Sequence, residues 1–268
     1  MIGFFRRLLR GGKAADERPV VQVHPRLSFA AEPAAIYAIG DIHGRLDLLR
    51  DVEQRILADG AAIPGEKWLV TLGDHIDRGP HSSGVLDHLA VELPAGWRRF
   101  CLCGNHELEM LDFLARPAST SPWLGFGGIE TLLSYGVPSS QVFAGRTSRE
   151  RWRQLLDCWV PPAHIEQLAQ LPLLLETPHF VLVHAGIVPG RSLAAQRDLD
   201  LVSYRDDFAS DFAGFGKTVV HGHQVRSSAL LIPTRIALDT GAYATGVLTA
   251  ARLAAGQPPT LITATGPG

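Results

Sequence analysis

The chain of 268 residues has few cysteines, no long apolar run and no excess of one sign of charge. Two of its three cysteines, Cys101 and Cys103, would share one face of a strand, which is too crowded for an ordinary disulfide, so we expect reduced thiols and a cytoplasmic protein. No apolar run reaches the roughly 18 residues that a transmembrane helix needs. The formal net charge of -2 gives no indication of a nucleic-acid partner, and none is expected.

The composition is that of a globular protein with a sizeable core, since 46% of the residues are hydrophobic and 19% are charged. Residues 1–34 are predicted to form a flexible N-terminal arm. Its first ten residues mix apolar and arginine side chains, so contact with a membrane surface is the alternative to a frayed end. Residues 35–268 are predicted to form a single domain. A cap insertion is expected at about residues 117–170, where Pro, Gly and Ser interrupt the pattern.

Short apolar runs closed by glycine alternate with stretches of helical periodicity, which is typical of a layered α/β fold. Three such pairs come first, with strands at 36–39, 68–72 and 99–103 and helices at 46–57, 85–91 and 107–115. Further strands are predicted at 180–183, 218–220, 229–232 and 235–238, and residues 245–253 are expected to close the domain. In folds of this class ligands gather beyond the carboxyl ends of the strands.

Polar side chains follow five of these predicted strands. They are Asp41 and His43, then Asp74, Asp77 and Arg78, then Asn105, His106 and Glu107, then His184, and last His221 and His223. Mixed sets of carboxylate, amide and imidazole ligands bind divalent metals such as Mn, Fe and Zn. One Gly-Asp pair alone would indicate a turn, but five strand ends of this kind predict a metal site.

Three motifs carry a resemblance to a known family: 40-GDIHG-44, 73-GDHIDRG-79 and 104-GNHE-107. They resemble those of the calcineurin-like metallophosphoesterases, and within them the bacterial branch of the phosphoprotein phosphatase (PPP-type Ser/Thr phosphatase) family. Residues 123–136 and 238–242 are also similar to segments of that branch. The resemblance implies an α/β fold in which two sheets form a β-sandwich flanked by helices, with a cap insertion.

The resemblance also implies a site for two divalent metal ions, expected to be Mn²⁺, with Fe or Zn as alternatives. By position, Asp41 and His43 would bind the first ion, Asp74 would bridge both, and the second ion would be completed by Asn105, His184 and His223. His223 is chosen over His221 because the family ligand is the His of a Gly-His pair.

The implied reaction is direct attack on phosphorus by a hydroxide that bridges the two metals. Arg78 and Arg205, with Asn105, would bind the phosphate oxygens, because phosphoryl transfer needs positioned cations. His106 would protonate the leaving group, and Asp77 would orient His106.

Other positions support or depart from the family pattern. Glu107 is expected either to support the site or, as we prefer, to act as a first-turn acid of its helix; Asp239 is expected to support the metals from outside. His75 stands where Tyr is common, and Phe126 stands where Asn often precedes the Gly-Gly pair. Val225 cannot act as the extra ligand found in phosphodiesterase branches.

The predicted function is metal-dependent hydrolysis of phosphomonoesters, with phosphoserine or phosphothreonine in proteins as the first substrate class. The alternative is hydrolysis of dinucleoside polyphosphates such as diadenosine tetraphosphate at the same site. A third possibility, an inactive scaffold that binds phosphorylated partners, is disfavoured because a scaffold need not keep His106 and Arg78. The expected partner is therefore a phosphorylated protein or a small phosphoester.

Overall fold

The computed structural model of the chain describes residues 24–144, 147–205, 212 and 215–268. Its first sheet has five strands in the order β11-β10-β2-β3-β4. Their bounds are β2 Ala35–Ile39, β3 Lys67–Thr71, β4 Trp97–Cys101, β10 Val247–Leu253 and β11 Thr260–Thr265. β2, β3 and β4 are parallel, while β10 is antiparallel to both of its neighbours. All residues of β2 and β3 are buried, which explains their continuous apolar runs.

The second sheet has six strands in the order β1-β5-β6-β7-β9-β8. Their bounds are β1 Arg26–Ser28, β5 Leu174–Glu176, β6 Phe180–Val183, β7 Thr218–His221, β8 Leu230–Ile232 and β9 Arg235–Ala237. β6, β7 and β9 are parallel. One apolar cluster joins the two sheets face to face, with Ile36 and Val70 of the first sheet and Leu182 and Val220 of the second among its members. The predicted two-sheet sandwich is confirmed.

Helices cover the outer faces of the sandwich. The longer ones are α1 Leu46–Gly60, α2 Ser82–Leu89, α3 Asn105–Ala115, α6 Arg149–Trp159 and α7 Pro162–Ala169; the shorter ones are α4 Ile129–Ser134, α5 Ser139–Val142, α8 Asp198–Ser203 and α9 Ala242–Thr245. α1 buries Leu49, Val52 and Ile56 in a cluster with Tyr37 and Leu69 of the first sheet. In the described part of the chain, no helix is long and apolar enough to cross a bilayer.

The chain between α3 and β5 is helical throughout its regular structure. A π-helical turn, Leu124–Gly128, leads directly into α4. Trp123 and Trp152 are fully buried, and both pack in the cluster that also contains Val183 of the second sheet. This inserted region therefore shares a core with the sandwich.

The prediction of a flexible arm over residues 1–34 fails for its last part, which contains a strand. Arg26–Ser28 forms β1, which pairs in parallel with β5 and extends the second sheet. The Arg26 guanidinium donates hydrogen bonds to the carbonyl oxygens of Leu193 and Gln196, so distant residues fix this short strand. Residues 1–23, including the proposed membrane contact, lie outside the described residues.

Candidate active site

The loops that follow β2, β3, β4, β6 and β7 meet at one edge of the sandwich. The backbone N–H of His43 donates to the carbonyl oxygen of Asp74 (2.8 Å), and that of Gly222 donates to the carbonyl oxygen of His184 (2.8 Å). The loops after β2 and β3, and those after β6 and β7, are thus joined in pairs. The parallel strand directions bring their polar side chains together, as the sequence predicts.

The Asp74 carboxylate lies between two sets of imidazoles. Its Oδ2 is 3.5 Å from His43 Nε2, and its Oδ1 is 3.3 Å from His184 Nε2. His184 Nε2 is also 3.2 Å from Asn105 Oδ1. Ligand atoms of Asp74, His184 and His223 all lie within 4.8 Å of one another. Asp74 therefore faces both sides with one oxygen each, as a bridging carboxylate would.

Asp41 lies beside the second set of imidazoles as well as near Asp74. Both of its carboxylate oxygens are 3.1 Å from the backbone nitrogen of His223. The compact group on the other side of Asp74 consists of His43, Asp74 and His106, again within 4.8 Å. Within this group the Nδ1 atom of His106 contacts the Asp77 carboxylate, whereas the Nδ1 atom of His43 contacts the carbonyl oxygen of Ile76.

The ionisation of the site fits divalent cations. Burial, together with the neighbouring Asp239 and Asp74, raises the pKa of Asp41 well above its ordinary value, and burial raises the pKa of Asp239 to about 6. A crowd of buried carboxylates is favourable only if positive charge compensates it.

The three imidazoles that are candidate metal ligands fit the same interpretation. Burial lowers the pKa of His43 to about 3, of His184 to about 4 and of His223 to about 3, so each offers a neutral lone pair. Considering the described residues, His223 Nε2 is buried and has no hydrogen-bond partner. A metal ion would satisfy this atom.

Glycines allow the loops to approach these ligands closely. A Cβ atom at Gly104 would overlap Asp74 Oδ1, and a Cβ atom at Gly222 would overlap Asp41 Oδ1. The two positions therefore require glycine because the carboxylates occupy the space that a side chain would need.

The backbone around the site is also strained. Of the six non-glycine residues with positive φ in the described part of the chain, five are at the site: His43, Asp74, Asp77, Arg78 and His223. Such conformations cost about 1–3 kcal/mol each and persist where the surroundings hold them. Their clustering marks this edge as the functional region of the fold.

A histidine and a carboxylate form the second part of the site. His106 Nδ1 is 2.7 Å from Asp77 Oδ2. Burial lowers the pKa of His106, but the Asp74 and Asp77 carboxylates outweigh it and raise that pKa to about 9. His106 is therefore charged near neutral pH, unlike His43, His184 and His223.

The inserted helices hold the Asp77 carboxylate in place. Trp123 Nε1 donates to Asp77 Oδ2 (2.8 Å), and the Thr131 hydroxyl donates to Asp77 Oδ1 (2.6 Å). Neither Trp123 nor Thr131 was predicted to have a role, although both lie in the segment that resembles the family. The one signal in the sequence was that segment, since the contacts join positions 46 and 54 residues apart.

Arg78 lies next to His106. Its Nη2 is 3.2 Å from His106 Nε2, and its guanidinium stacks on Tyr243 at 4.6 Å from the ring centroid. Because both nitrogens are donors when His106 is protonated, an anionic oxygen between them would be favourable. Tyr243 is a third residue at the site, after Trp123 and Thr131, that was not predicted from the sequence.

Arg205 is exposed and lies near His223, whose lowered pKa it helps to cause after burial and His184. It therefore adds positive charge at the same edge as Arg78. Its alternative partners in the sequence analysis, Asp206 and Asp207, lie outside the described residues.

Glu107 serves both functions that were considered for it. In the first turn of α3 it accepts a hydrogen bond from the backbone N–H of Gly104 (2.7 Å), and it also accepts from the N–H groups of Asp74 (2.9 Å) and His75 (2.8 Å). Burial raises the pKa of Glu107, but His75 and these donors hold it well below its ordinary value. Glu107 thus fixes the loop that carries Asp74.

His221 and His75 make hydrogen bonds away from the ligand groups. His221 accepts from Arg235 Nε (2.9 Å) at Nε2, and its Nδ1 is 2.9 Å from the carbonyl oxygen of Gly222. His75 is fully buried with Nε2 2.7 Å from Thr71 Oγ1. These contacts favour structural roles for both, and leave His223 as the ligand candidate.

Several characterised proteins are similar to this chain. A symmetrical bis(5'-nucleosyl)-tetraphosphatase of Aromatoleum aromaticum is 28% identical over 62% of this chain and 49% of its own length. Serine/threonine-protein phosphatase 1 of Salmonella typhimurium is 38% identical over 35% of this chain and 38% of its own length. The matched regions thus span half or less of these relatives.

Solved structures share the fold. The crystal structure of a provisionally named diadenosine tetraphosphatase superposes with a TM-score of 0.61 at 22% identity, covering 91% of this chain and 99% of that one. A cold-active protein tyrosine phosphatase gives 0.59 at 17% identity, covering 93% and 82%.

Residues 34–239 match the calcineurin-like phosphoesterase family, a range that includes both sheets' central strands and all the loops of the site. The chain belongs to the calcineurin-like phosphoesterases.

Proposed function

We propose that this chain hydrolyses the phosphoanhydride bonds of dinucleoside polyphosphates, using two divalent metal ions. The observation that carries the proposal is the position of Asp74, whose two oxygens face His43 on one side and His184 on the other. When bound, two metals supply a water of lowered pKa as the nucleophile. We propose Mn²⁺ first, with Fe or Zn as alternatives, because the donors are mixed oxygen and nitrogen.

The residues of the chain would divide the work as follows. The metals would be held by Asp41, His43, Asp74, Asn105, His184 and His223. Arg78 and Arg205, with Asn105, would bind the phosphate oxygens and oppose their negative charge.

Proton transfer to the leaving oxygen would fall to His106. It carries a proton near neutral pH and faces the same point as Arg78. Asp77 would orient the ring and stabilise its charge, since it binds Nδ1 and leaves Nε2 for the leaving group.

The choice of substrate class rests on the relatives. Phosphoproteins are the first substrate class predicted from the sequence, but the similarity to a tetraphosphatase extends over 62% of this chain, against 35% for serine/threonine-protein phosphatase 1. We therefore rank dinucleoside polyphosphates first. Phosphoserine and phosphothreonine proteins stay the second candidate because the phosphatase match has the higher identity, 38% against 28%.

The cellular location is a further part of the proposal. The three cysteines, Cys101, Cys103 and Cys158, are free thiols, which supports a reducing compartment such as the cytoplasm.

A substrate panel tests the proposal. Diadenosine tetraphosphate, a phosphoserine peptide, an aryl phosphate and a phosphodiester would each be assayed with Mn²⁺, Zn²⁺ and Mg²⁺ at matched metal loading. We expect the highest kcat/KM for diadenosine tetraphosphate with Mn²⁺. A higher value for the phosphopeptide would reverse the ranking, and no turnover of any substrate with two metals bound would indicate a phosphate-binding scaffold.

A further inference from the structure

Phe126 is an exposed aromatic residue next to the phosphate-binding Arg78. It lies in the turn Leu124–Gly128, and the residue is 56% exposed. The following residue, Gly127, has φ of 110° and accepts a hydrogen bond from the backbone N–H of Arg78 (3.3 Å). The turn therefore fixes Phe126 one residue away from the contact with Arg78.

Core packing does not explain this side chain. Trp123 at the start of the same turn is fully buried, and Leu124 packs against the core, whereas Phe126 belongs to no core cluster. Among the described residues, Phe126 makes no aromatic or cation contact. At the neighbouring Gly125 a Cβ atom would meet nothing within 4 Å, so the space beside the turn is open.

A second aromatic residue of the site is occupied in a different way. The face of Tyr243 is covered by the Arg78 guanidinium, 4.6 Å from its centroid. The face of Tyr243 next to Arg78 is therefore occupied, whereas the turn that contacts the Arg78 backbone carries an exposed ring, Phe126.

We propose that Phe126 stacks on a nucleobase of the substrate whose phosphate chain Arg78 holds. This inference rests on the proposed function and names the residue that distinguishes a nucleotide from a bare phosphate. A free aromatic face binds a planar base by stacking, which tolerates any base because every base has a π face. Phe126 is thus a specificity residue, while Arg78 binds the phosphates common to all candidate substrates.

The test compares Phe126→Ala and Phe126→Trp with the unchanged protein, all loaded with Mn²⁺. Two substrates are used: diadenosine tetraphosphate, which has bases, and inorganic tripolyphosphate, which has none. Phe143→Ala is the matched control, since Phe143 is also in the inserted region and is 63% exposed. The readouts are KM and kcat, together with calorimetric binding of diadenosine tetraphosphate in the presence of Ca²⁺.

We expect Phe126→Ala to raise KM and the dissociation constant for diadenosine tetraphosphate by about 5-fold to 150-fold, the range that loss of one base stack gives. Cleavage of tripolyphosphate should change less than 2-fold, and Phe126→Trp should keep the binding of the parent protein. The control variant should match the parent on both substrates.

The inference is overturned if Phe126→Ala leaves diadenosine tetraphosphate binding unchanged, or if it weakens both substrates equally, because the turn would then act only through Arg78. Failure of the proposed function is seen separately, in the unchanged protein, as an inability to prefer diadenosine tetraphosphate in the substrate panel.

Discussion

Buried histidines surround the Asp74 carboxylate, and their environments differ. For the three candidate ligands, burial dominates and lowers the pKa of His43, His184 and His223 to between about 3 and 4. For His106, which lies on the same side of Asp74 as His43, the Asp74 and Asp77 carboxylates outweigh burial and raise the pKa to about 9. One residue type thus supplies neutral imidazoles and a charged imidazole around one carboxylate.

The difference between the candidate ligands and His106 follows from the elements that contribute their partners. The neutral histidines come from strand ends alone, where backbone carbonyl groups such as that of Leu72, 2.9 Å from His184 Nδ1, orient the rings. His106 also follows a strand, but its partner Asp77 is held by Trp123 and Thr131 of the inserted region. The sandwich therefore carries the candidate metal ligands, and the insertion orients the proposed proton donor through Asp77.

Replacing Asp74, the proposed bridging carboxylate, should have the largest effect. We expect Asp74→Asn to lose metal from both positions and to lower kcat/KM by about 10³-fold or more, because metals supply several kcal/mol of transition-state stabilisation. Metal analysis of the purified protein, with Asp51→Asn on the exposed surface of α1 as control, tests this. Two tightly bound ions in Asp74→Asn would contradict the bridging role.

Replacing His106 should separate proton transfer from metal binding. We expect His106→Asn to keep its metals but to slow cleavage of an alkyl phosphate by about 10²-fold to 10⁴-fold, the range for loss of a general acid. An aryl phosphate needs little protonation of its leaving group and should slow far less. Equal slowing of both substrates would remove His106 as the acid.

The sequence could predict the ligand side of the site because its information is local. Asp41, Asp74 and Asn105 each follow a buried apolar run that ends in glycine. His184 directly follows the apolar run at 180–183, and the parallel order of the strands brings these ends together. The assignment of individual residues to metals stays a prediction.

Elements and contacts that depend on distant partners could not be predicted. β1 has only three residues and pairs with β5, about 150 residues away, and neither strand was predicted. β11 was also missed, because it is largely exposed and lacks an apolar run. The contacts of Asp77 with Trp123 and Thr131 also join separate regions. In each case tertiary packing determines the structure, and local propensity does not.

Weakening the link from the insertion to Asp77 should give a smaller effect of the same kind. Thr131→Val removes the hydroxyl that donates to Asp77 Oδ1, so we expect kcat for an alkyl phosphate to fall about 10-fold, since a hydrogen bond to a charged group is worth about 1.5–3 kcal/mol. Aryl phosphate cleavage should change less, and Thr131→Ser should restore the rate. A Thr131→Ser protein as slow as Thr131→Val would indicate lost packing instead.

A carboxylate that contacts a histidine away from the site sharpens the comparison with His106 and Asp77. Glu53 Oε2 is 3.2 Å from His88 Nε2 and 2.8 Å from Arg99 Nη1, and Glu53 lies in α1, outside the site. Burial raises the pKa of Glu53, but His88 and Arg99 lower it from 4.5 to about 2. Here the pair connects two helices to a strand, so its role should be structural.

We expect Glu53→Gln to lower the free energy of unfolding by about 1–2 kcal/mol at pH 7, a value reduced for solvent screening, while kcat stays unchanged. Because the folded pKa lies below the unfolded one, this stabilisation is complete above pH 4.5 and is lost as the pH falls towards about 2, so the two proteins should converge in that range. Urea unfolding between pH 7 and pH 3, with exposed Glu92→Gln as control, measures it. A reduced kcat at unchanged stability would instead connect Glu53 to the site.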